Sequence, residues 1–176
     1  ASLIVASTPL VLAALGELIA EKAGVLNLGV EGMMIIGAVS GFIVGVETGS
    51  AYIGMMAAAM AGALLSLLFA FIILIMQANQ VASGLALTIF GLGIAALMGH
   101  PYTGIKSPQI STISIPFISE IPILGTMFFQ HDLIVYLSLI SVLVIWYFLN
   151  RMRAGLILRS VAVSYTHLTL PTTLNV

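Results

Sequence analysis

Residues Ala51–Met76 read AYIGMMAAAMAGALLSLLFAFIILIM and contain no Asp, Glu, Lys or Arg. They lie within a longer uncharged stretch, Thr48–Ile105, and two more uncharged stretches cover Gly32–Val46 and Leu133–Asn150. A helix needs about 20 mostly apolar residues to cross a bilayer. The sequence therefore predicts an all-α, polytopic bundle of transmembrane helices.

The composition excludes several other classes of protein. Only 6% of the residues are charged, 61% are hydrophobic, and the mean hydropathy is +1.23, so we expect the bilayer to surround the chain. The absence of cysteine excludes disulfides and thiolate sites. A net charge of -1 gives no basic surface for nucleic acid.

The apolar pattern divides the chain into about five membrane-spanning segments. We predict them at Ser2–Ala20, Val25–Val46, Ala51–Met76, Val81–Met98 and Leu133–Leu149. Between the last two lies a Pro-rich segment, His100–Asp132, whose prolines forbid a regular helix. Because this segment is also rich in isoleucine, we expect a structured external loop packed on the membrane face.

Glycine spacing predicts where two of these helices pack. The second span carries Gly37, Gly41 and Gly45 at four-residue intervals, which places them on one helix face. The third span repeats the pattern with Gly54, Ala58 and Gly62. Small residues at this spacing allow close helix contact in membranes.

The basic residues set the expected orientation. Arg151, Arg153 and Arg159 follow the fifth span directly. Since cytoplasmic loops carry the excess of Lys and Arg, this end is expected to be cytoplasmic. The N-terminus of a five-span protein then lies outside.

Two polar residues are candidates for a functional site near the second span. Glu31 would lie about 9 Å deep if the helix began at Val25, and Asn27 would share its face. One interpretation is a carboxylate that hydrogen-bonds near the interface, with Asn27 as a helix cap. The other is a polar stripe that faces a translocation pathway or a mobile interface.

Asn79, Gln80 and Ser83 open the fourth span. They fit an ordinary helix start with Asn79 as N-cap, or a cytoplasmic mouth that hydrogen-bonds a polar ligand. No catalytic constellation, P-loop or metal-ligand spacing is present in the sequence, so we expect neither an enzyme nor a metal site. These residues alone leave a transporter subunit, a channel and a membrane scaffold open.

Two motifs carry a family resemblance. Ala23–Met34 reads AGVLNLGVEGMM and Asn150–Val161 reads NRMRAGLILRSV. Together they resemble ABC-importer permeases of the simple sugar and nucleoside branch of the branched-chain amino acid/ribose permease family. The resemblance implies import of nucleosides or simple sugars in a prokaryotic cell membrane; a self-assembling channel or secondary carrier for small polar solutes is the alternative.

The resemblance also implies partners. These are a cytoplasmic ABC ATPase, a second permease subunit, and an extracellular or periplasmic substrate-binding protein. ATP hydrolysis would belong to the ATPase, and the permease itself would need no cofactor. The residues expected to approach the ATPase are Arg151, Arg153, Gly155 and Arg159, with Gly155 forming a tight turn.

The resemblance stops near the end of the chain. Residues 1–161 look like the N-terminal part of a permease transmembrane domain. Ser164–Val176 is uncharged and has no amphipathic period, so residues 162–176 are expected to be a foreign tail. The resemblance implies a cytoplasmic coupling helix that begins after Arg153 and contacts the ATPase. We expect this helix to lack its body here, and the chain to be about half of a longer permease.

Overall fold

The computed structural model describes residues 2–108, 113–114 and 130–167, and nearly all of them are helical. The described residues form six α-helices: α1 Ser2–Lys22, α2 Val30–Thr48, α3 Ala51–Ala70, α4 Gln80–Gly99, α5 Leu133–Arg151 and α6 Arg153–His167. A π-helical turn, Phe71–Ile75, extends α3, and a 3-10 turn, His100–Tyr102, follows α4. The two-residue strands β1 (Ile113–Ser114) and β2 (Gln130–His131) pair antiparallel.

Five helices of the described chain are long and apolar enough to cross a membrane. They are Leu3–Lys22, Val30–Thr48, Ala51–Ile75, Gln80–Tyr102 and Leu133–Arg151. The predicted all-α polytopic bundle is therefore confirmed. Most of the Pro-rich loop lies outside the described residues, so its packing on the membrane face stays a prediction.

The start of the second span was predicted wrongly. Gly24 adopts a φ of 86° after α1, and its N–H donates to Glu21 O at 2.9 Å while the Val25 N–H donates to Ala20 O at 3.0 Å. These two bonds form a Schellman cap, which ends a helix at a left-handed glycine. The chain is then non-helical until Val30, so α2 begins five residues later than predicted.

The helix α6 also differs from the expectation. It runs without interruption from Arg153 to His167. We expected no helix body after Val161, and this expectation is wrong for residues 162–167. The assignment of residues 162–176 to a foreign tail stays a prediction.

The chain divides into two compact units. The first contains α1, α5 and α6, and the second contains α2, α3 and α4. In the second unit, α2 packs against both other helices. It runs antiparallel to α3, because Gly45 lies near Gly54 and Gly37 lies near Ala58.

The contact of α2 with α3 is made by small residues. A Cβ added to Gly41 would lie 2.8 Å from Ala58 Cβ and 2.9 Å from Gly54 O. A Cβ on Gly54 would lie 2.5 Å from Gly41 O. The two backbones thus touch directly, and Gly37, Gly41 and Gly45 all lie against α3.

The contact of α2 with α4 is equally close. A Cβ on Gly32 would lie 2.7 Å from Leu87 O, and one on Gly91 would lie 2.8 Å from Gly32 Cα. Further along, a Cβ on Gly99 would lie 3.9 Å from Val39 Cγ1. Residues further along α2 contact residues further along α4, so these two helices are parallel.

The outward surfaces are apolar. On α3 and α4, large side chains such as Leu64 and Leu97 are 63% and 78% exposed. No large side chain of the described residues is fully buried. A thin core inside an apolar surface suits a protein whose helices are solvated by lipid tails.

We expect Gly41→Leu to separate α2 from α3, because overpacking of a tight contact costs about 1–3 kcal/mol. The measurement is the free energy of unfolding from pulse proteolysis across an SDS titration in mixed micelles. The matched control is Gly93→Leu, because a Cβ on this glycine of α4 meets no atom within 4 Å. Equal stability of the two variants would contradict the contact.

Candidate functional site

Asn27 organises the segment that enters α2. Its Oδ1 accepts a hydrogen bond from the Gly29 N–H at 3.0 Å, and its Nδ2 donates to Met33 Sδ at 3.7 Å. The first bond closes an Asx turn, in which an Asn side chain holds the backbone two residues on. Asn27 therefore lies outside α2, and the predicted helical stripe of Asn27 and Glu31 is wrong.

Glu31 lies in the first turn of α2 and is exposed. The predicted depth of about 9 Å required a helix that began at Val25, and α2 begins at Val30. A carboxylate in a first turn interacts favourably with the positive end of the helix dipole, typically by about 0.3–1 kcal/mol. This position lowers the cost of keeping a charge near a membrane span.

The start of α4 is capped by Asn79. Its Oδ1 accepts from the Ala82 N–H at 3.0 Å, and the Ser83 N–H donates to Asn79 O at 2.9 Å. Asn79 is exposed, whereas Gln80 and Ser83 are half-buried. The geometry is that of a helix N-cap, and it leaves Gln80 and Ser83 in the first turn.

The start of α4 packs on the segment that enters α2. A Cβ on Gly84 would lie 2.9 Å from Gly29 N and 3.0 Å from Leu28 Cβ. The Thr88 hydroxyl donates to Leu28 O at 3.0 Å and lies 3.3 Å from Gly84 O. Sequence reasoning missed Thr88. The available signal was its position one turn after Gly84, because a backbone that packs on Gly84 also lies close to residue 88.

Five predicted residues thus lie at one end of the second unit. Because α2 and α4 are parallel, their N-terminal ends adjoin, and these ends hold Asn27, Glu31, Asn79, Gln80 and Ser83. We call this set the polar end. Its amides and hydroxyl can hydrogen-bond a neutral polar solute, and Glu31 adds a carboxylate, whose two oxygens accept hydrogen bonds. No cluster that could hold a metal ion occurs among the described side chains.

A second polar contact closes the opposite end of α2 and α4. The Tyr102 hydroxyl donates to Glu47 Oε1. The sequence did not reveal this pair, because it depends on which helices are parallel. It ties the C-terminal ends of two helices whose N-terminal ends form the polar end.

Basic residues collect at one end of the first unit. Lys22 ends α1, Arg151 ends α5, and Arg153 and Arg159 belong to α6. Arg151 and Arg153 are exposed, whereas Arg159 is half-buried. Every Lys and Arg of the chain except Lys106 is in this group.

The role of Gly155 differs from the predicted tight turn. The residue is helical and is not among the described positions with positive φ. A Cβ there would overlap the Phe148 carbonyl oxygen and lie 2.8 Å from Leu149 Cα. Glycine is needed because α6 crosses the end of α5 at backbone contact.

The comparisons with known proteins agree on one family. Residues 1–166 match the family model described as branched-chain amino acid transport system / permease component. The putative glucose ABC transporter permease protein TsgC13 of Haloferax volcanii is 39% identical over 155 residues, which are 86% of this chain and 47% of the relative. No solved structure matches the chain.

Two bacterial relatives are similar at the same level. The guanosine ABC transporter permease protein NupQ of Bacillus subtilis is 35% identical over 90% of this chain and 53% of its own length. The nucleoside ABC transporter permease protein NupC of Lactococcus lactis is 32% identical over 92% and 54%. The chain spans about half the length of the curated relatives it matches. It belongs to the family of permease components of the branched-chain amino acid transport system.

Proposed function

We propose that the chain forms part of the translocation pathway of an ATP-driven importer for nucleosides or simple sugars. The observation that carries the proposal is the family match over residues 1–166, together with relatives named as glucose, guanosine and nucleoside permeases. The five apolar helices are consistent with it.

The polar end supplies the chemistry that such a substrate needs. Sugars and nucleosides are neutral and carry many hydroxyl groups, to which amide, hydroxyl and carboxylate side chains can all form hydrogen bonds. Gln80 and Ser83 are half-buried in the first turn of α4, and Glu31 lies in the first turn of the adjoining helix α2. In this proposal the polar end faces the pathway or a mobile interface.

The basic group of the first unit supports the proposed orientation and partners. We place it on the cytoplasmic side of a prokaryotic cell membrane, because Lys and Arg are enriched there. A cytoplasmic ABC ATPase would bind near Arg151, Arg153, Gly155 and Arg159. A second permease subunit would complete the pore, and an extracellular or periplasmic protein would deliver the substrate.

Uptake of radiolabelled guanosine and glucose tests this function. The cells should produce the protein together with an ATPase, a second permease subunit and a substrate-binding protein from the same organism. The proposal requires that uptake of one substrate stops when the P-loop lysine of the ATPase is replaced. Uptake that survives this replacement but fails without a proton gradient would instead favour a secondary carrier, and uptake independent of both would favour a channel.

The orientation can be tested with cysteines, since the chain has none of its own. Leu3→Cys and Met152→Cys lie at opposite ends of the first unit, and both native side chains are exposed. In intact cells an impermeant maleimide should label Leu3→Cys only. Both should react after permeabilisation, and labelling of Met152→Cys alone in intact cells would reverse the orientation.

Glu31→Gln tests the polar end, because it removes the charge and keeps the shape of the side chain. We expect uptake to fall several-fold, because the polar end loses its carboxylate. The amount of protein in the membrane should stay unchanged, since the lost dipole interaction is at most about 1 kcal/mol. Glu21→Gln is the matched control, because Glu21 is an exposed acid outside the polar end. Unchanged uptake in Glu31→Gln would restrict Glu31 to a structural role.

A further inference from the structure

A cavity of about 330 Å³ opens at the basic end of the first unit. Its walls come from the last two turns of α1, from the C-terminal half of α5, and from Arg159 of α6. Its volume lies at the lower end of the range for small-molecule sites. Since the C-terminal parts of both α1 and α5 line the cavity, these helices are parallel here.

The lining changes from apolar to basic along the helices. Leu15 and Leu18 of α1 lie on the same face as Lys22 and line the cavity with it. At 1.5 Å per residue, Leu15 and Lys22 are about 10 Å apart along the axis. On α5 the corresponding apolar wall includes Trp146 and ends at Asn150.

Two cations line the end of the cavity at which α1 and α5 end. Lys22 and Arg159 are the charged residues of the described lining, and no acid joins them there. Arg159 is half-buried, whereas Arg151 and Arg153 are exposed. Arg159 is therefore the arginine of α6 that lines the cavity.

We propose that this cavity binds an anionic phospholipid, with its phosphate at Lys22 and Arg159 and an acyl chain along the apolar wall. Both apolar helices end at this level, so the cavity lies where headgroups meet hydrocarbon. Basic pockets between membrane helices suit anionic headgroups, and each Lys or Arg near the surface contributes about five-fold in affinity. The proposal does not depend on the transported substrate.

Lipid binding can be measured at the cavity itself, because the single tryptophan of the chain, Trp146, lies in the cavity wall. The full chain is reconstituted in vesicles of mixed phosphatidylcholine and phosphatidylglycerol, with bromine atoms on the acyl chains of one lipid. Quenching of Trp146 fluorescence gives the relative affinity of the two lipids. We expect phosphatidylglycerol to be preferred at least five-fold.

Charge-removing variants separate this cavity from general surface attraction. Lys22→Gln and Arg159→Gln should each lower the preference about five-fold, whereas Arg151→Gln, equally basic but outside the cavity, should keep it. Unchanged helical circular dichroism and unchanged quenching by brominated phosphatidylcholine show that each variant is folded.

Three results would overturn the proposal. The first is equal quenching by both lipids in the native chain. The second is an equal loss of preference in Arg151→Gln and Arg159→Gln, which would indicate surface charge alone. The third is loss of the preference when inorganic phosphate is added at constant ionic strength, which would assign the two cations to a soluble anion.

Discussion

The arrangement of the second unit depends on direct backbone contact between α2 and its two neighbours. Lipid tails are as apolar as leucine, so helices in a bilayer gain little from burying large side chains. Attraction must come from close packing, and glycine permits the closest. Gly41 and Gly54 remove the side chains between α2 and α3, and Gly32 and Gly91 do so between α2 and α4.

These contacts also decide where the polar residues lie. Because α2 and α4 are parallel, the capped start of α4 lies beside the turn that leads into α2. The hydrogen bond from Thr88 to Leu28 O joins the two across 60 residues of sequence. At the other end of the same helices, Tyr102 and Glu47 form a second hydrogen bond. The polar end is therefore a product of helix direction and not of one local motif.

The number of membrane-spanning helices, their apolar character and the glycine face of α2 could all be predicted from the sequence, because each follows from a simple local pattern of residues. The start of α2 could not. Apolar residues continue through Val25 and Leu28, and only the Gly24 cap and the Asn27 turn stop the helix there. Gly155 was singled out for the wrong reason, because its contact with Phe148 requires the angle between two helices.

The central claim is that α2 lies parallel to α4 at backbone distance. Disulfide formation in the otherwise cysteine-free chain tests it most directly. The pair Val39→Cys and Gly99→Cys should cross-link rapidly on mild oxidation, because a Cβ on Gly99 would lie 3.9 Å from the Val39 side chain. The pair Val39→Cys and Val81→Cys, with its second cysteine at the other end of α4, should stay reduced. Cross-linking of the second pair, or of neither, would contradict the account.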